Sequence, residues 1–165
     1  MKKILIFLAV AFLLFGCLGQ TDNASVEKLA QLKQTYGLVE SYSPNSQIMS
    51  AYISELSTLQ AKTNSTLIRF ELYTAQSFFY IFKSNEFYGQ VDYQNEGCKS
   101  SNTLNAYKFA SLAKSASEKA LSESSFLSEQ DKQSTRLMQA ESVREYNQMA
   151  QEIIDSFENK CGKIF

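Results

Sequence analysis

The chain has 165 residues, with 16 Lys and Arg against 17 Asp and Glu, a single Pro, six Gly and no His. That is one domain's worth of residues, and the near-balanced charge argues against a nucleic-acid partner, whose phosphates need clustered Lys and Arg. Without His there is no His-based metal site and no Ser-His or Cys-His catalytic pair, while so few breakers favour long helices over strands and turns.

The first element is Lys2-Lys3 followed by an apolar run from Ile4 to Phe15 and then Gly16-Cys17. A basic start, an apolar stretch and a small residue form the layout of a secretory signal over residues 1–16. The run is shorter than the roughly 20 residues a membrane span requires. Its end, Leu14-Phe15-Gly16-Cys17, resembles a lipobox, and Cys17-Leu18-Gly19 before polar Gln20-Thr21-Asp22-Asn23 is similar to the start of prokaryotic, especially archaeal, surface lipoproteins. The resemblance implies that Cys17 is lipidated and becomes the first residue. Residues 17–23 would then be a lipidated tether and 24–165 a folded domain on the extracytoplasmic face of the cell membrane. Lys2 and Lys3 both precede Cys17, so the chain from Cys17 onward carries 14 basic and 17 acidic residues, a net charge of −3.

The rest reads as all-α, an elongated antiparallel bundle of four helices at about 24–36, 47–87, 103–123 and 128–159. Asp22 or Asn23 can cap the first helix, and Gly37 is a natural stop. Ser43-Pro44 reads as an N-cap with proline at the first helical position. The second helix meets no breaker before Gly89, which would make it a central rod about 60 Å long. Its first half is amphipathic and its second half apolar nearly all round, as expected of a helix enclosed by neighbours. Thr63-Asn64-Ser65-Thr66 interrupts its apolar stripe and suits a polar layer or a local bend. Asn102 can cap the third helix, whose Ala106, Ala110, Ala113, Ala116 and Ala120 form a stripe that allows close helix approach. Ser128-Glu129-Gln130-Asp131 looks like a capping-box variant at the start of the fourth. Beyond it, Val143, Tyr146, Ala150, Ile153, Phe157 and Cys161 form an apolar seam at spacings of three and four. In this arrangement helix one covers the first half of the rod and helix three the second.

Two cysteines remain after Cys17. In an oxidising compartment Cys98 and Cys161 would pair, closing a loop of about 63 residues. A hairpin of helices three and four brings both to one end.

Functional signals are sparse. Phe78, Phe79, Tyr80, Phe82, Phe87, Tyr88 and Tyr93 concentrate aromatic surface at the cysteine end, where they would form either a binding patch or core. Asn23-Ala24-Ser25 and Asn64-Ser65-Thr66 match the glycosylation acceptor pattern. No Asp-rich calcium loop, Gly-rich phosphate loop or nucleophile elbow occurs, so neither metal nor cofactor nor enzymatic activity is expected. The expected function is a non-enzymatic binding or structural module of the cell envelope, held by a lipid on Cys17, with an envelope protein or polymer as partner. The alternative is a small-ligand-binding or sensory bundle that uses the aromatic end of helix two.

Overall fold

The computed structural model describes residues 23–92, 97–129, 131 and 138–162, and every regular element among them is an α-helix. There are five such helices: α1 (Asn23–Tyr36), α2 (Ser46–Lys62), α3 (Thr66–Tyr88), α4 (Ser101–Ser124) and α5 (Met138–Cys161). The all-helical expectation holds, but the expected count of four does not. The rod at 47–87 is two helices, α2 and α3, separated by Thr63, Asn64 and Ser65.

The cause of the break is local. Thr63 ends α2 in an extended conformation, φ −129° and ψ 133°, and its N–H turns back to Leu59 and Gln60. Ser65, also extended, caps α3 by accepting from the Ile68 N–H at 3.5 Å. The Arg69 guanidinium then donates to the Asn64 carbonyl at 3.4 Å, to Asn64 Oδ1 at 2.9 Å and to Thr66 Oγ1 at 3.1 Å. Ser, Thr and Asn offer the backbone these alternatives to a helical ladder, so four in a row make a break cheap. Burial then favours it. The Tyr52 hydroxyl lies 2.8 Å from Glu71, so α2 folds back along α3 as a hairpin. In a straight helix those residues, 19 apart, would be separated by about 28 Å.

α1 packs on this hairpin and ends at Gly37, whose φ of +68° completes a Schellman turn. Leu38 N–H donates to Lys33 O at 2.8 Å and Gly37 N–H to Gln34 O at 3.1 Å. The cap of α2 is Asn45 rather than Ser43, and Oδ1 of Asn45 accepts from Gln47 and Ile48. Ser100, not Asn102, caps α4, and its Oγ accepts from the Thr103 N–H at 3.2 Å. The expected box forms, with Asp131 N–H donating to Ser128 Oγ and Asp131 Oδ2 accepting from the Ser128 N–H. Residues 132–137 of the expected fourth helix lie outside the described residues.

α3, α4 and α5 form an up-down-up bundle. Ser84 donates to the Ala106 carbonyl at 2.8 Å, and Arg69 Nε meets Glu123 at 3.0 Å, so α4 runs antiparallel to α3. Asn147 donates to Ser117 and Tyr107 to Glu158, which makes α5 antiparallel to α4. A side chain of α3 can reach the α4 backbone because small residues face each other. Thr74, Ala75, Ser77 and Ser84 of α3 are buried, as are Ala106, Ala110, Ala113, Ala116 and Ala120 of α4. Cys98 precedes α4 and Cys161 ends α5, and they lie at disulfide distance with Cα atoms 5.6 Å apart. Closing that loop of 63 residues stabilises by roughly 4 kcal/mol in the chain-entropy model. Cys161→Ser is therefore expected to lower the unfolding free energy by about that amount in urea titrations. An unchanged midpoint would refute the constraint.

Candidate functional site

The expected aromatic patch is divided between two faces of α3. Phe78 and Phe82, one turn apart, lie together with ring centroids at 6.5 Å. Phe78 also meets Tyr42 of the α1–α2 connection at 5.2 Å and Tyr146 of α5 at 5.8 Å. On another face Tyr80 and Phe87 both stack on Phe109 of α4, at 6.2 and 5.8 Å. Phe79 contacts Tyr80 and, like Phe78, packs against the core cluster that takes in residues of all five helices. Tyr88 sits edge-on to Phe157 and shares a hydrogen bond with Ser156. All six are partly buried, and most of them fix α3 against its neighbours. Tyr93 lies outside the described residues. These residues are therefore not brought together as one site.

What the fold does converge on is Glu71, a carboxylate that is 0% exposed in the first turns of α3. Its Oε1 accepts hydrogen bonds from Tyr42 at 2.9 Å and Tyr52 at 2.8 Å. Its Oε2 is met by the Lys33 ammonium at 2.9 Å, off the axis of a hydrogen bond. Three segments, α1, the α1–α2 connection and α2, thus each place one polar group on a single buried side chain of α3. Burial and the neighbouring carboxylate push the Tyr42 and Tyr52 hydroxyls well above the usual tyrosine range. Both stay protonated and donating at any physiological pH. Sequence reasoning missed this cluster. The available signal was a lone acid on an apolar stripe, since Leu67, Ala75 and Phe78 stand at helical spacings from Glu71.

Glu71 and Tyr52, at the centre of the cluster, are fully buried, while Lys33 and Tyr42 are partly buried. A shallow open cleft of 330 Å³ lies nearby, lined by Lys28 and Leu32 of α1 and by Glu55, Thr58, Leu59 and Lys62 of α2. Among the described residues no group of three or more Cys, Asp or Glu is placed to hold a metal ion. Of the acceptor asparagines, Asn64 is exposed in the break between α2 and α3, whereas Asn23 opens α1, in which Ser25 is buried. Cys17 precedes the described residues. Comparison with protein-family models, curated proteins and solved structures finds no match.

Two outcomes follow for the Glu71 cluster. Glu71→Leu takes the acceptor from the Tyr42 and Tyr52 hydroxyls and removes the Lys33 ion pair, and is expected to cost about 3–5 kcal/mol, part of which Lys33→Met restores in the double variant. Denaturant unfolding of all three proteins checks this, and strict additivity would contradict it. The raised tyrosines set the alkaline behaviour. Their contribution is fully present below the unfolded value of 10.0 and is lost as pH rises above it, because the unfolded chain then releases protons the folded chain retains. Stability should therefore fall above pH 10, and less steeply in Tyr42→Phe/Tyr52→Phe, as followed by circular dichroism against pH.

Proposed function

We propose that this chain is an extracytoplasmic lipoprotein, anchored through a lipid on Cys17, that acts as a non-enzymatic binding or structural module of the cell envelope. The observation that carries this reading is the leader of Lys2-Lys3, an apolar run and Gly16-Cys17, six residues before α1 begins at Asn23. One feature supports it. Cys98 and Cys161 lie at disulfide distance, which suits an oxidising compartment. No helix among the described residues is long and apolar enough to cross a membrane. A single lipid chain binds reversibly, and stable anchoring takes a second chain or a second contact.

The partner in this reading is an envelope protein or polymer. The small-ligand alternative needs the aromatic residues of α3 to enclose a cavity, and their use in packing on Tyr42, Phe109, Tyr146 and Phe157 weighs against it. The test is made on the full chain in cells that process lipoproteins. The wild type should partition with membranes and yield a mature N-terminal peptide beginning at a lipid-modified Cys17. Cys17→Ser should move it to the soluble extracellular or periplasmic fraction. A membrane-free wild type, or an N-terminal peptide that begins at Met1, would overturn the reading.

A further inference from the structure

The two acceptor tripeptides have the same pattern in sequence and opposite settings in the fold. Asn23-Ala24-Ser25 falls inside α1, where Ser25 is 1% exposed and the backbone is committed to helical hydrogen bonds. Asn64-Ser65-Thr66 spans the non-helical break between α2 and α3, with extended residues at 63 and 65 and Asn64 itself exposed. An acceptor tripeptide is a surface-loop motif, and only the second occupies such a place.

The contacts of Arg69 add a finer argument. Its guanidinium carries donors and no acceptor, so the atom of the Asn64 carboxamide that it touches at 2.9 Å must be the carbonyl oxygen Oδ1. Nδ2, the atom that carries a sugar in an N-linked glycan, is thereby turned away from the guanidinium. The other arm of the same guanidinium takes Thr66 Oγ1 at 3.1 Å. The amide and the hydroxyl two residues on, the two groups that define the acceptor pattern, are therefore held by one side chain in a fixed relation. Arg69 is in turn fixed by Glu123 of α4 at 3.0 Å, so the arrangement is tied to the body of the bundle.

From this geometry we propose that Asn64 is an N-glycosylation site, with an oligosaccharide carried on a polyprenyl phosphate or pyrophosphate as the co-reactant. The transfer is a substitution at the anomeric carbon of the first sugar, carried out by a transferase of the envelope. Asn64 Nδ2 forms the new C–N bond and loses one proton, while the bond from that carbon to the phosphate oxygen breaks and its electron pair leaves with the lipid phosphate. The folded domain carries the product without rearrangement, because the glycan leaves from an exposed turn. The proposal rests on the export stated above, since such donors face the outside of the membrane.

The test is peptide mass spectrometry of the full chain isolated from membranes of cells that carry out N-glycosylation. The Cys17 and Asn64 peptides are read from the same digest. The expected result is a lipid-modified Cys17 peptide together with an Asn64 peptide heavier by an oligosaccharide. Asn64→Gln and Thr66→Ala should each abolish the added mass, and Thr66→Ser, which keeps the hydroxyl, should retain it. A lipidated Cys17 peptide beside an Asn64 peptide of bare sequence mass overturns the glycan proposal alone. A chain that begins at Met1 with bare Asn64 overturns the export reading along with it. A glycan on Asn23 with bare Asn64 would also refute the assignment.

Discussion

The domain depends on a buried charge that three separate segments are needed to satisfy. Glu71 is out of contact with water, and a carboxylate in that position carries a desolvation cost of several kcal/mol. Lys33, Tyr42 and Tyr52 offset it together, one from α1, one from the connection and one from α2. Such a cluster is weak evidence for net stability, because a well-packed hydrophobic replacement is often as good. Its effect is selective. Any packing of α1 or α2 on α3 that slips by a turn leaves Glu71 unpaired, so the alternatives are penalised more than the native arrangement is favoured.

That selection explains how so plain a helical sequence adopts a single arrangement. α2 has apolar residues at Met49, Tyr52 and Leu56, all buried, and could slide along α3 with little change in apolar area. The Tyr52 hydroxyl removes that freedom. Tyr36 reinforces it from α1, donating to Glu55 at 2.7 Å while its ring meets Tyr52 edge-on. The opposite end of α3 is held differently, by the close contact of Ser84 with Ala106 and by the Cys98–Cys161 pair. Polar specificity at one end and covalent closure at the other divide the work.

How much of this was legible in the sequence follows from which forces are local. Helix type, the alanine stripe of α4, the Ser128–Asp131 box and the meeting of the two cysteines follow from periodicity, capping and topology, and the structure has them. The break at Thr63–Ser65 was visible only as a polar interruption. Propensity makes a break there cheap, but the decision between a rod and a hairpin belongs to tertiary burial, which no local window contains. Glu71 was hidden for the same reason. An acid on an apolar stripe reads as noise until partners 29, 19 and 38 residues away are placed beside it.

The aromatic stretch of α3 shows the converse case, in which a strong local signal has an ordinary use. Five consecutive aromatic or aliphatic residues, Phe78 to Phe82, cannot share one face of a helix, because successive residues point about 100° apart. A helix presenting them must be surrounded, and α3 is: Tyr42 and Tyr146 take one side and Phe109 another. A concentrated patch would have required spacing by three and four. Among the described residues the large apolar side chains left exposed are Val39, Leu112, Phe126 and Met149, and Val39 and Phe126 each adjoin a buried leucine, Leu38 and Leu127.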